Sequence, residues 1–131
     1  MRGIWLLVDL VKRYRFGKAQ RLHGKPMFDA VYGYRVRKEM GVICVFGKPN
    51  GLGYSRLGLS VGKRFGNAVR RNGVKRLLRE SFRLCCGDFV RGYDLVVVVR
   101  PHDGLCFADY QRLIFKGIGF IDKKCAGAVG S

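Results

Sequence analysis

The chain has 131 residues, 26 of them Lys or Arg against 9 Asp or Glu, for a formal charge of +17 at pH 7. With 48% hydrophobic residues it can bury one core and is too apolar for a disordered chain. So much charge on so short a chain repels itself in the compact state, which disfavours a free-standing metabolic enzyme and leaves nucleic acid or an anionic membrane as the natural partner.

Residues 1–15 read as a loosely attached, flexible extension. Ile4-Trp-Leu-Leu-Val8 is apolar, but Asp9 interrupts it and Lys12, Arg13 and Arg15 follow. The run is far shorter than the ~20 residues of a membrane helix and lacks a small-x-small cleavage pattern. One domain is expected over 16–119. Pro26 suits the first turn of a helix over 26–32, where Met27, Ala30 and Val31 recur at helical spacing, Phe28 and Tyr32 lie four apart, and Gly33 closes the element. A strand over 40–46 follows, then a turn at Lys48-Pro-Asn-Gly-Leu-Gly-Tyr54. Residues 56–61 form a second strand with Leu57, Leu59 and Val61 on one side. A helix over 68–85 starts from Asn67 as its N-cap. Asp94–Arg100 carries the unbroken run Leu-Val-Val-Val-Val, the mark of a strand covered on both faces, and Pro101 ends it. Phe107, Tyr110, Leu113 and Ile114 place a last helix over 107–118, and 120–131 is expected as a flexible tail.

The charge is uneven. Residues 1–40 carry ten basic and three acidic groups, residues 84–131 six and five, but residues 56–83 carry nine basic groups and Glu80 alone. On the 68–85 helix, Val74, Leu77, Leu78, Ser81, Leu84 and Cys85 fall within an arc of about 120°, and Arg71, Asn72, Lys75, Arg76, Arg79 and Arg83 within about 140° opposite. Ordinary solvated helices mix signs in i,i+4 pairs. Five cations along three turns are better accounted for by phosphates running along the helix. A membrane-surface helix is disfavoured because its apolar arc lacks Trp and holds Phe82 only at its edge.

Chemistry of the protein's own is hard to find. Cys44, Cys85, Cys86, Cys106 and Cys125 are odd in number and contain no C-x-x-C, so they read as small hydrophobes of a reducing compartment. His23 and His102 have no nucleophile pattern beside them, and Asp88, Asp94, Asp103 and Asp109 are scattered, each expected at a turn or cap. Gly58-Leu-Ser-Val-Gly-Lys-Arg64 lacks the spacing of a phosphate loop, with Arg64 where a magnesium-binding hydroxyl belongs. Phe28 and Tyr32 could stack on unpaired bases with Lys63 and Arg64 on the backbone, or pack in the core.

The stretch Arg56-Leu-Gly-Leu-Ser-Val-Gly-Lys-Arg-Phe-Gly-Asn-Ala-Val-Arg-Arg-Asn-Gly-Val-Lys-Arg-Leu-Leu-Arg-Glu-Ser-Phe-Arg83 resembles the signature of the bacterial ribonuclease P protein subunit. Arg21-Leu22, Phe28-Asp-Ala-Val-Tyr32 and Tyr93-Asp-Leu-Val-Val-Val-Val-Arg-Pro101 extend the resemblance over about 18–119. It implies an α+β single-domain sandwich of order αβββαβα, with a central mixed sheet and a left-handed βαβ crossover, similar to the second domain of ribosomal protein S5. It implies a cytoplasmic protein bound 1:1 to the ribonuclease P RNA, with precursor tRNA as substrate and neither membrane nor DNA as partner. The RNA subunit would carry the chemistry of 5′-leader removal and hold most of the magnesium, leaving no catalytic residue and no direct metal ligand on the protein. Arg64, Arg71, Asn72, Lys75, Arg76 and Arg79 match the motif that contacts the RNA subunit. Phe28, Tyr32, Ser60 and Lys63 match the cleft for the leader. Two departures stand out: Gly73 replaces a usual Arg, and Cys44 lies where some relatives offer an aromatic to the cleft. The alternative is a structural RNA-binding protein of ribosomal type with no processing role.

Overall fold

A computed structural model describes residues 20–85 and 92–130. Its elements are α1 (Gly24–Tyr34), β1 (Val36–Glu39), β2 (Ile43–Pro49), β3 (Arg56–Val61), a 3-10 turn (Lys63–Phe65), α2 (Ala68–Cys85), β4 (Tyr93–Val99) and α3 (Phe107–Gly130). The four strands form one sheet in the order β1-β2-β4-β3. β2 is antiparallel to β1 and β4, whereas β3 and β4 run parallel and are joined through α2. This is the mixed sheet and helix–strand order implied by the resemblance.

β4 lies inside the sheet, between β2 and β3, because it is apolar on both sides along its length. Its alternation sends Leu95, Val97 and Val99 to one face and Val96 and Val98 to the other. The first face receives Ile43 and Val45 of β2, Leu57 of β3, Val74, Leu78, Phe82 and Cys85 of α2, and Tyr110, Ile114, Ile118, Ile121 and Cys125 of α3. The second is covered by α1, through Val31, Met27, Phe28 and Tyr32, with Leu22 and Phe46 completing the cluster. Register ties the strands rung by rung: Phe46 opposite Val96 opposite Gly58, and Cys44 opposite Val98 opposite Ser60.

Several boundaries differ from the sequence expectation. α1 runs through Gly33 and ends at Arg35, which takes the left-handed conformation (φ 66°) and returns its N–H to the Tyr32 carbonyl. β2 begins at Ile43 rather than residue 40, because Met40–Val42 form the tight turn from β1, with Gly41 at φ 77°. Asp94 is no turn residue. It is buried in β4, where it accepts from Arg56 Nε at 2.7 Å and Nη2 at 2.6 Å and from Asn50 Nδ2 at 3.0 Å. Asp88 and residues 1–15 lie outside the described residues.

The expected flexible tail over 120–131 is instead helix as far as Gly130. Ile121 and Cys125 continue the buried stripe of α3, Tyr93 Oη donates to Asp122, and Phe120 lies beneath the ammonium groups of Lys38 and Lys124 at 5.0 and 5.8 Å. Gly47 makes room for Ile121, since a Cβ there would collide with it. Among the described residues, no helix is long and apolar enough to cross a membrane. Truncating the fully buried Ile121 by Ile121→Ala should cost about 2–5 kcal/mol of stability, read as a lower urea midpoint at unchanged slope.

Candidate nucleic-acid interface

α2 begins where Asn67 Oδ1 accepts the N–H of Arg70 at 3.0 Å, an N-cap that follows directly from the sequence. The helix is amphipathic as expected, but its buried stripe is Val74, Leu78, Ser81, Phe82 and Cys85. Leu84 is 42% exposed and Phe82 is fully buried, so the inward face is turned by about 40° from the expected arc. The rotation draws Arg71 partly inward, and its Nε is buried with no hydrogen-bond partner among the described residues. Asn72 and Arg76 remain exposed, while Lys75 and Arg79 are half-buried.

Asn72, Arg76 and Arg79 line a groove of about 420 Å³ together with Arg21 and Glu80. Arg21 is carried there by the segment before α1, which bridges to β3 at Leu57 and is held by the Leu22 N–H donating to the Leu57 carbonyl at 3.1 Å. Burial, and then the positive charge of Arg21, lower the pKa of the Arg79 guanidinium from its ordinary value. Like charges so placed favour an anion between them. A second hollow of about 230 Å³ adjoins this groove, sharing Arg21 and Arg79 and adding Lys75, His23, Leu57, Gly58 and Phe28.

Phe28 therefore stands where the α2 cations meet the face of the sheet covered by α1. Its ring lies over Gly58, where a Cβ would come within 2.5 Å of the ring carbon Cζ. One turn on, Tyr32 packs edge-to-face against Phe46 with centroids 4.9 Å apart. Burial raises the pKa of the Tyr32 phenol, and its hydrogen bond with Ser60 acts in the opposite direction. Both rings are half-buried, so each is at once part of the α1 core and part of the cleft rim. Lys63 and Arg64 are exposed on the turn after β3 and line neither hollow.

The structure thus brings together Phe28, Lys75 and Arg79 in one hollow, Asn72, Arg76 and Arg79 in the next, and Tyr32 with Ser60 above the sheet. Arg64 and Lys63 sit apart, before α2. Three contributors escaped the sequence reading. Arg21 enters only because its segment pairs with β3. Phe46 supplies an aromatic wall, whereas Cys44, two residues before it on the same face of β2, is 2% exposed and closed off in the sheet. Arg37 lies over the Phe46 ring at 6.0 Å, and Tyr32, Arg35, Arg37 and Phe46 bound a further hollow of about 350 Å³. The aromatic at position 46 was visible, but its side of the strand depends on a register that the short β1 does not announce. Gly73 is exposed and faces open space beside the cationic stripe. Among the described residues, no three His, Cys, Asp or Glu side chains come together as metal ligands.

Comparison with known proteins gives this surface its context. The family model for ribonuclease P matches residues 16–118. The chain belongs to the ribonuclease P protein family. A relative from Caldanaerobacter subterraneus, a ribonuclease P protein component, is 42% identical over 96 residues, covering 73% of this chain and 81% of its own. One from Chromobacterium violaceum is 46% identical over 72 residues, covering 54% of this chain and 60% of that relative. The solved ribonuclease P protein of Thermotoga maritima superposes with a TM-score of 0.66 at 31% identity, over 73% of this chain and 92% of that one. Within the family fold, the Gly58–Phe28 contact carries a direct prediction. Gly58→Ala should force the Phe28 ring off the sheet, lowering the thermal midpoint and raising Phe28 exposure, as read by NMR shifts of its ring protons.

Proposed function

We propose that this chain binds the catalytic RNA of ribonuclease P along the exposed face of α2 and the 5′ leader of precursor tRNA over the α1 face of the sheet. In this way it assists endonucleolytic removal of the leader. The observation that carries the reading is the hollow shared by Phe28, Lys75, Arg79 and Arg21, where an aromatic platform and a cationic wall adjoin. Phosphates reward cations, and unstacked bases reward aromatic faces, so a single strand leaving a structured RNA finds both along one path.

Each residue then has a task that its chemistry suits. Arg76, Arg79, Arg71 and Arg21 present guanidinium forks to phosphate oxygens, Lys75 and Lys63 present point charges, and Asn72 and Ser60 offer hydrogen bonds. Arg64 reaches RNA from the turn ahead of α2. Phe28, Tyr32 and Phe46 offer ring faces and edges to leader bases. Guanidinium groups stay protonated and serve poorly as general bases, so the surface suits binding and positioning, with the hydrolytic chemistry on the RNA subunit. Magnesium, held mainly by RNA, would supply activation of the attacking water. The proposal takes one protein per RNA and a cytoplasmic setting.

Reconstitution with the catalytic RNA of the same cell tests the reading. Added protein should raise precursor-tRNA cleavage at low magnesium, and no stimulation at any salt concentration overturns it. Lys75→Ala and Arg76→Ala should each weaken RNA binding and reduce the slope of log K against log salt by about 0.7–0.9, measured by filter binding across a salt series. Tyr32→Ala should weaken precursor tRNA by roughly 5- to 150-fold and leave mature tRNA nearly unchanged, the stacking contribution of one base. Equal losses for both substrates would assign the ring to the core alone.

A further inference from the structure

His102 lies half-buried on the loop between β4 and α3, and both of its ring nitrogens are engaged. Nδ1 is 2.8 Å from the Arg100 carbonyl oxygen, and Nε2 is 2.6 Å from Tyr110 Oη. A carbonyl only accepts, so Nδ1 carries the proton, and in the neutral ring Nε2 accepts from the Tyr110 hydroxyl. Tyr110 is buried, and its oxygen in turn accepts the Leu105 N–H at 3.2 Å. Burial raises the pKa of the Tyr110 phenol, and a phenol is protonated at neutral pH without such a shift. The chain of bonds is closed, with every member used in a single direction.

The other side of His102 faces the RNA-binding elements. Its ring meets the buried Phe65 ring at a centroid distance of 5.1 Å and an angle of 73°. Its backbone carbonyl accepts from Arg70 Nη2 at 3.3 Å, and the Arg70 guanidinium lies over the Phe65 ring at 5.2 Å. Phe65 is the only buried residue of the Lys63–Phe65 turn. The exposed Lys63 and Arg64 are therefore anchored through Phe65, and Phe65 is packed against His102.

We propose that His102 is a positioning residue for RNA binding: in its Nδ1–H form it holds the Lys63–Phe65 turn and Arg70 at a fixed place relative to α3, so that Arg64 meets RNA in register with the α2 groove. The proposal rests on the RNA-binding reading above. A phenylalanine at 102 would keep the ring contact with Phe65 but leave the Tyr110 hydroxyl and the Arg100 carbonyl without their imidazole partners.

The test has two arms on the full chain. In the free protein, nitrogen-15 NMR of the neutral His102 ring should show the Nδ1–H tautomer. The Nε2–H tautomer overturns the proposal. In the second arm, His102→Ala and Arg64→Ala are combined in a double-mutant cycle read by affinity for the catalytic RNA, with circular dichroism confirming that each variant folds. His102→Ala should weaken binding roughly five- to thirtyfold. Arg64→Ala should then cost about two- to tenfold less on the His102→Ala background than on the wild type. Strictly additive losses overturn the positioning role. Should His102→Ala not fold, His102→Gln, which can still accept from Tyr110, carries the same cycle and should retain more affinity than His102→Phe; equal losses in those two variants overturn the proposal. Failure of the wild-type protein to bind the RNA overturns the RNA-binding reading together with the positioning role, whereas wild-type binding with additive losses overturns the positioning role alone.

Discussion

Burial of β4 on both faces is the constraint from which the remaining architecture follows. Leu95, Val96, Val97 and Val99 are almost wholly removed from water, at roughly 1.5–3 kcal/mol for each side chain. A strand of this kind needs neighbours on both edges and a layer on each face. β2 and β3 supply the edges, α2 and α3 cover one face, and α1 covers the other. Because β3 and β4 are parallel, the chain must cross between them, and the crossing element is α2. The most basic segment of the sequence is thereby tied at one end to β3, beside the residues that lie under α1.

The cationic surface then follows from the apolar demand. α2 turns whichever face best fills the sheet, and Phe82 draws that face toward itself. Arg71 is carried partly under and Leu84 partly out, while Asn72 and Arg76 remain exposed. Glu80 is engaged by Arg83 and offers little relief to the neighbouring cations. Folding without a polyanion leaves this repulsion in place, and a polyanion bound along these cations would remove it, so binding and stability would be linked by mass action.

How legible all this was in the sequence depends on how strongly each residue pattern is fixed by one neighbour. The apolar run of β4 and the periodicity of α2 each stand alone, and both appear within a residue or two of where they were expected. β1 has a single apolar residue, Val36, in four, too little alternation to read before β2 gives it a partner. Gly33 looked like a helix end, yet Arg35 performs that task, in the left-handed conformation and with its N–H returned to the Tyr32 carbonyl. The stretch 120–131, which holds the far end of α3, reads as a flexible tail, with Lys123 and Lys124 followed by mostly small residues. Ile121 and Cys125 lie four apart and find Gly47 and the sheet only in three dimensions. In the interface, the cations of α2 could be named from one helix, whereas Arg21 and Phe46 required knowing which strands lie side by side.

A protein that positions RNA gains from rigidity between its binding surfaces, since a misplacement of about 1 Å can cost far more than a lost contact. Here the two surfaces share side chains. Phe28 lies against Gly58 of β3 and lines the same hollow as Lys75 and Arg79 of α2. The ring cannot shift without altering the hollow it shares with Lys75 and Arg79, and α2 cannot roll without moving those two cations relative to the ring. Glycine at 58 is what permits this closeness, because a single methyl group would separate the aromatic platform from the sheet and the cationic wall together. The division of tasks between cations and rings is therefore a geometric coupling as well as a chemical one, fixed by a strand that both surfaces use as their base.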